Sequence, residues 1–393
     1  MDFRDTAEEA AFRAELRAWL EAALPEGWAR RPPGRGRTDV AFAREWSRTL
    51  SAAGYVGLTW PKEYGGRGLP PTHQAIYLEE AARVNAPDHI GVIGLNMAGP
   101  TIMAWGSDEQ KKRYLPPLLA GEEVWCQGFS EPGTGSDLAS VRARAVQDGD
   151  DWVVTGQKVW SSWAHIADWC ILLVRTDPDA PKHKGLSYLL VDMHAPGVEV
   201  RPLRQITGEA EFNEIFLSDV RVPTESMLGG PGDGWRVAMT TLLHERGTLG
   251  FALSAALSRQ VTRLVELARQ PASDGRRPAD DPVVRDAVAR EWIELQALRF
   301  TNYRALTALM QSGVPGPEGS VAKLAWSEAN QRLTKLAVQV QGLAGQLAGE
   351  DAVWDGYWQH QQLRSRGNTI EAGTSEILRG IVAERVLGLP RGR

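Results

Sequence analysis

The chain has only two cysteines in 393 residues, Cys126 and Cys170, and both lie in strand-like apolar runs. This scarcity excludes a disulfide framework and predicts two buried free thiols. No apolar run is long enough to cross a bilayer, and the opening MDFRDTAEEA is acidic and polar, unlike a signal peptide. Positive charge is not in excess: the formal net charge is −5, so there is no basic footprint for nucleic acid or an anionic membrane. These features together point to a cytoplasmic protein. No Gly-x-Gly-x-x-Gly follows a strand near the front of the chain, which argues against a Rossmann dinucleotide site. His73 and His89 lack a partner at metal-ligand spacing. They read as surface or core histidines, and no metal is expected.

What is present is ordinary globular composition, with length for two or three domains sharing a sizeable core. Fifteen tryptophans are many. Large aromatics can line a flat ring or an apolar tunnel, but most are expected in the core. The front third reads as helix. Residues 6–24 carry Phe12, Leu16, Trp19 and Leu20 on one face behind a Thr6/Glu9 capping box. A Pro/Gly/Arg loop covers residues 25–37. Further helices are predicted over 38–53 and 72–84, and another opens at Ser107 with Gln110, where Pro116 and Pro117 should bend or end it.

From Val124 the period changes to that of strands. Val141, Ala143 and Ala145 alternate with polar residues, and further runs cover 152–155, 169–175, 186–192 and 215–222. Short strands at this spacing suggest a small barrel or sandwich. After Gly234 the chain returns to helix, with long 3.6-residue patterns over 235–268, 282–311 and 317–345 and a last helix over 374–387. Helices of that length suggest an antiparallel four-helix bundle. The fold predicted is α+β and mostly α: an N-terminal helical domain (1–123), a central β domain (124–232) and a C-terminal helical bundle (233–393).

Three stretches stand out. Phe129-Ser130-Glu131-Pro132-Gly133-Thr134-Gly135-Ser136-Asp137 is a hydroxyl-rich loop with its backbone N–H groups free to face an anion or a polar ring edge. Its Pro fixes φ, and its glycines permit φ > 0. Gly156-Gln157-Lys158-Val159-Trp160-Ser161-Ser162 follows, and Glu371-Ala372-Gly373-Thr374-Ser375-Glu376-Ile377 lies near the C-terminus. In this order and spacing the three resemble the acyl-CoA dehydrogenase family, over about Trp60 to Leu389.

The resemblance implies FAD as cofactor, an acyl-CoA substrate, electron-transferring flavoprotein as electron acceptor and a homotetramer or dimer, with a hetero-oligomer as the alternative. The isoalloxazine would lie between the β domain and the helical bundle. Gln127, Phe129 and Ser130 resemble the segment that meets the pyrimidine edge. Trp160 resembles the aromatic that packs on the ring, and Ser162 the hydroxyl at N5. Gln339 and Gly342, within Val338-Gln339-Val340-Gln341-Gly342-Leu343, resemble the segment that meets the flavin pyrophosphate across a subunit interface, although Leu343 replaces a usual glycine. The family's Arg-x-x-Phe-Gly motif is not legible here, and Arg269, Arg276 and Arg277 all stand near its place. Gly373, Thr374 and Glu376 match the turn that touches the dinucleotide.

In several members of the family the Glu directly before Gly-Thr removes the α proton, but here that position is Ala372. Glu371 lies one residue earlier, and a one-residue shift turns a side chain away by about 100°. The isovaleryl and long-chain branches carry the base on the first long bundle helix, directly before an Arg. Leu243-His244-Glu245-Arg246-Gly247 matches that pattern, which makes Glu245 the candidate base. The backbone N–H of Ala372 would polarise the thioester carbonyl, and Ser136 and Arg246 would bind the CoA arm. An acyl-CoA oxidase, another flavoenzyme on the same fold, or a non-catalytic subunit are the alternatives. Substrate chain length and branching are not legible.

Overall fold

The structure is a computed structural model that describes residues 4–28, 39–247, 249–271, 275–313 and 316–390, with the side chains of 245–247 and 249 also outside the description. The expected loop at 25–37 lies outside the described residues from residue 29 onward. The chain divides into two compact units. One comprises Met1–Arg37, Leu69–Pro87 and Arg246–Arg393, and the other Thr38–Gly68 and Asp88–Glu245. The N-terminal helices are thus shared between the units.

In the second unit a seven-stranded sheet forms the centre. Its strands are β1 (Trp125–Gly128), β2 (Arg144–Asp148), β3 (Asp151–Ser162), β4 (Trp169–Arg175), β5 (Leu186–Asp192), β6 (Val198–Pro202) and β7 (Phe212–Pro223). The order is β1-β4-β2-β3-β7-β6, with β5 paired to β4. β1 runs parallel to β4, placing Cys126 opposite Cys170, and both thiols are free and buried as expected. Val154, Leu172, Val174, Leu189 and Ile215 fill the core beside them. β6 went unrecognised in the sequence. The strand expected to begin at Val141 begins at Arg144, because the preceding backbone is used elsewhere. The Val141 carbonyl accepts from Arg175 Nε at 3.1 Å, and the Ala143 N–H donates to Glu131 at 2.9 Å. Trp60 packs under Gly66 and Gly99, where a Cβ would come within 2.5 Å of the indole or its backbone, so these two positions require glycine.

The helices follow their local signals. α1 (Ala7–Ala23) starts with the Thr6/Glu9 capping box and buries Phe12, Leu16 and Leu20. α2 (Val40–Ala52) is capped by Asp39, α3 (Pro71–Arg83) starts on a proline, and a short α4 (Gly99–Trp105) was not foreseen. α5 (Asp108–Ala120) has the Ser107/Gln110 box, but Pro116 and Pro117 do not end it. It stops instead at Gly121, with φ +73°, and the Pro117 carbonyl accepts from the N–H groups of Glu122 and Glu123.

In the first unit α7 (Leu249–Arg269), α8 (Pro282–Ser312) and α9 (Glu318–Val340) pack on one another, and α10 (Tyr357–Ser365) packs on α9. Leu264, Leu298, Leu333 and Trp358 lie in their core. The helix expected over 235–268 is two, α6 (Gly234–Gly247) and α7. α9 ends at Val340, short of the expected 345, because Gly342 takes φ +56°. α11 (Ser375–Ile381) is shorter than expected and passes into a wider π turn over Val382–Val386. α1 is held on α3 by Glu80, which accepts from Arg13 at 3.2 Å, Arg17 at 2.8 Å and Arg83 at 2.9 Å.

Both questioned histidines are core residues. In the second unit the His89 Nδ1 accepts the Gly91 N–H at 2.9 Å, and burial pushes its pKa down to about 4. The folded protein therefore favours the neutral ring. The unfolded chain binds that proton at pH 6.5 and the folded chain does not, so stability falls as pH drops from 6.5 toward 4. The slope approaches about 1.4 kcal/mol per pH unit in that window. Chemical denaturation at pH 7 and pH 5 is expected to show this loss, and His89→Gln should flatten it.

Candidate active site

In the sheet unit the first two motifs are fastened together by a buried ion pair. Glu131-Pro132-Gly133-Thr134 closes as a turn, with Glu131 and Thr134 exchanging backbone bonds at 2.9 Å. The Glu131 carboxylate accepts from the Arg142 N–H at 2.7 Å, the Ala143 N–H at 2.9 Å and the Lys158 ammonium at 2.9 Å. Lys158, 0% exposed, also donates to the Phe129 carbonyl at 3.1 Å. Burial lowers the Lys158 pKa, and the Glu131 charge opposes that shift. The Val159 N–H donates to the Ser130 carbonyl at 2.9 Å, completing the clamp. Gly133 and Gly135 do not use the positive φ they permit, and no atom of the described residues lies within 4 Å of where a Cβ on either would stand. Ser136 is exposed on the same loop, and beyond it Asp137 is held by Lys182 at 2.6 Å.

The clamp aims Trp160 outward. The β3–β7 register shifts between Lys158 and Ser161, so one extra residue is accommodated there, and Trp160 takes φ +63°. A bulge of this kind re-aims a side chain. The indole is 60% exposed, its edge meeting Phe212 with centroids 6.1 Å apart. An exposed indole in a left-handed conformation is costly on both counts, and such strain concentrates at functional positions. Next to it, Ser161 Oγ on β3 and Asn213 Oδ1 on β7, paired in register, are buried polar atoms with no partner among the described residues, and Gln127 Nε2 on β1 of the same sheet is another. Ser162, beside Ser161, is half-buried. A broad apolar face beside unmet donors and acceptors fits the flat, polar-edged ring of a flavin. Phe129 itself is buried edge-on to Tyr188, so any contribution it makes to the ring is through its backbone.

α6 is the helix that carries Glu245. The side chains of Glu245 and Arg246 lie outside the described residues. One turn before Glu245, Thr241 is buried, and its hydroxyl lies 2.9 Å from both Tyr188 Oη and Thr101 Oγ1. Trp105 Nε1 donates to Thr240 Oγ1 at 3.0 Å, so α6 is held on two sides. Burial also lowers the pKa of half-buried His244, keeping the residue beside Glu245 neutral.

In the helical unit, Glu371 is held in a network of its own. Its carboxylate accepts from Arg364 at 3.0 and 3.2 Å and from Asn368 Nδ2 at 2.8 Å. Ala372 follows with φ +51° and Gly373 with φ +92°. Ala372 is exposed, and its N–H has no acceptor among the described residues. An L-residue held there is strained by about 1–2 kcal/mol. Ala372→Gly is accordingly expected to raise the denaturation midpoint, by about 1 kcal/mol after the larger backbone entropy of glycine is counted.

Thr374 caps α11 by accepting the Ile377 N–H at 3.2 Å, and Glu376 is exposed in that first turn. Gln339 is exposed at the end of α9. Gly342 has open space at its Cβ position, and the neighbouring Leu343 is 91% exposed. Of the three arginines near the altered loop, Arg277 is engaged by Asp280 at 2.9 Å.

The sequence reading did not single out Lys158, Glu131 or Lys323. A lysine within a strand-like run beside Val159, and a glutamate inside a Gly/Pro loop, were the legible signals for the first two. Among the described residues no cluster could hold a metal ion, and no helix is long and apolar enough to cross a membrane.

The likenesses to known proteins agree with this geometry. The N-terminal, middle and C-terminal domain families of acyl-CoA dehydrogenase match residues 6–122, 126–220 and 232–387. Acyl-CoA dehydrogenase IpdE1 of Mycobacterium tuberculosis is 46% identical over 385 residues, covering 97% of both chains. The human mitochondrial short-chain specific acyl-CoA dehydrogenase is 32% identical, covering 86% of this chain and 82% of its own. Among solved structures, the Tcur3481-Tcur3483 steroid ACAD superposes with a TM-score of 0.88 at 35% identity, and the ChsE4-ChsE5 complex from Mycobacterium tuberculosis with 0.86 at 33%, each covering 100% of both chains. This chain belongs to the acyl-CoA dehydrogenase family and is an FAD-dependent oxidoreductase that acts on an acyl-CoA.

Proposed function

We propose that the chain introduces a double bond between Cα and Cβ of an acyl-CoA whose acyl group carries a ring system, such as a steroid fragment. The observation that carries the chemistry is Ala372: an N–H without an acceptor among the described residues, at the position whose N–H serves the thioester carbonyl in the family, with Glu371 held by Arg364 and Asn368 beside it. Glu245 takes the Cα proton. Its carboxylate becomes the acid as the C–H electrons move toward the carbonyl. The Ala372 N–H donates to the carbonyl oxygen as negative charge grows there, which lowers the barrier most when the donor is already in place. FAD, when bound, supplies the acceptor for the hydride that leaves Cβ. The exposed Trp160 gives a flat apolar wall for the ring, and Gln127, Ser130 and Ser162 give polar groups for its edge. Gln339 and Gly342, with Gly373, Thr374 and Glu376, serve the dinucleotide. Ser136 and Arg246 hold the CoA arm. Electrons pass on to an electron-transferring flavoprotein.

The ring-bearing substrate class rests on the likeness to the steroid ACAD and on the small side chain at Ala372, where other members hold a glutamate. An anaerobic comparison of straight-chain, branched and steroid-derived acyl-CoAs, read by flavin bleaching, tests it. Fastest reduction by a straight-chain substrate would overturn this class.

A hetero-oligomer is the second reading. Leu343 stands where a glycine is usual and is almost fully exposed, and the matched ChsE4-ChsE5 structure is itself a complex of two chains. Retention of FAD by the protein expressed alone would count against a requirement for a partner.

A further inference from the structure

The reading of Ala372 as the carbonyl donor leaves open what holds that N–H in position. α9 carries a stripe of buried polar residues at helical spacing, Lys323, Ser327, Asn330 and Thr334. Polar residues at core positions need partners. Ser327 finds its partner within α9, donating to the Leu324 carbonyl at 3.0 Å, whereas Lys323, Asn330 and Thr334 reach one segment, residues 365–373. Thr334 Oγ1 lies 3.1 Å from Ser365 Oγ, and Asn330 Nδ2 donates to Asn368 Oδ1 at 2.8 Å. Beside the stripe, Gln331 donates to the Ser365 carbonyl and to Thr369 Oγ1, both at 3.0 Å. Lys323, 3% exposed, donates to the Asn368 carbonyl at 2.7 Å and the Gly373 carbonyl at 2.8 Å.

The two Lys323 acceptors bracket the turn. They lie on either side of Ala372, whose left-handed backbone is the strained point between them. A peptide in that conformation persists only when its surroundings over-determine it. The Glu371 side chain is fixed from the same network through Asn368. One ammonium thus spans both ends of the segment that presents the Ala372 N–H. Long side chains gain little from being buried with their charge unless hydrogen bonds recover the desolvation cost, and two bonds of this ammonium go to the backbone of one segment.

We propose that Lys323 is a positioning residue for the reaction: it fixes the direction of the Ala372 N–H toward the thioester carbonyl. The proposal rests on the reading of that N–H as the carbonyl donor, and the test separates the two. The probe is a 2-enoyl-CoA labelled with carbon-13 at the thioester carbonyl, made from the acyl-CoA that reduces the flavin fastest. Its carbonyl stretch is read by difference infrared spectroscopy on the FAD-loaded protein.

Binding to the unmodified protein is expected to move the stretch to lower frequency. In Lys323→Met that shift should shrink while the probe's Kd changes by no more than about threefold. The rate of flavin reduction should fall by about 10²-fold, the scale of losing one preorganised donor. Lys323→Arg keeps the buried cation and its donors but moves them, and should give an intermediate shift and rate. It also serves if the methionine variant does not fold.

A Lys323→Met or Lys323→Arg protein with the full carbonyl shift and rate, whatever its melting temperature, would show that Lys323 is structural only. An unmodified protein that binds the probe without any shift would remove the Ala372 reading, and the proposal with it. Failure of every acyl-CoA to reduce the flavin would do the same.

Discussion

Replacing Glu245 by Gln is expected to leave FAD and acyl-CoA binding in place and to slow flavin reduction by about 10²- to 10⁴-fold, the range for loss of a positioned general base. Glutamine keeps the length and one carbonyl oxygen of glutamate but cannot take a proton. The loss should therefore appear in the rate of bleaching at saturating acyl-CoA and not in its midpoint. Stopped-flow mixing under anaerobic conditions measures both. Glu371→Gln is the control. Glu371 is held by Arg364 and Asn368, so its amide variant should lose stability before it loses chemistry. Normal bleaching in Glu245→Gln, with loss in Glu371→Gln, would reverse the assignment.

Lys158→Met is expected to destabilise the sheet unit by about 3–5 kcal/mol, the cost of leaving one member of a buried ion pair without the other. Glu131 would keep its two backbone donors but lose the cation that offsets its burial, and the Phe129 carbonyl would lose its donor. Changing both members to apolar residues often restores stability at a buried pair, but it should not do so here. The N–H groups of Arg142 and Ala143 would then be orphaned, at about 1–3 kcal/mol each. Urea denaturation of Lys158→Met and of the double variant Lys158→Met/Glu131→Leu distinguishes these cases. FAD retention should fall with stability in both, because the clamp holds Ser130 in place and Trp160 in its left-handed conformation. A double variant as stable as the unmodified protein would show that the clamp is an ordinary buried pair with no bearing on the loop.

Much of this was legible because local chemistry and tertiary role coincide. Capping boxes at Thr6 and Ser107, the continuous apolar runs at 169–175 and 186–192, and the long amphipathic helices were each legible locally, and the two runs are buried almost throughout. Legibility ended where one element's backbone serves another. Val141 looked like the start of a strand, yet its carbonyl is spent on Arg175. Trp160 stood out through the family resemblance alone, and nothing in its neighbours announced the bulge that turns it outward. Gly133 and Gly135 permit left-handed backbone but do not use it, whereas Trp160 and Ala372, which are not glycine, do, Ala372 together with Gly373 after it.

The polar stripe on α9 was the largest omission. Lys323, Ser327, Asn330 and Thr334 have the spacing of a core face but not its hydrophobicity, and periodicity searched only for apolar residues passes over them. Such a stripe is stable only with a polar partner of matching length, and the partner, residues 365–373, lies more than one element away in sequence.

The most direct test of the central claim is an anaerobic titration of the purified yellow protein with steroid-derived, branched and straight-chain acyl-CoAs, following the flavin's visible absorbance and the mass of the CoA product. The account requires bleaching by at least one of them, with a stoichiometric product lighter by two hydrogens and unsaturated between Cα and Cβ. A flavin-loaded protein that stays yellow with every acyl-CoA, alone and with a co-expressed partner chain, would contradict it.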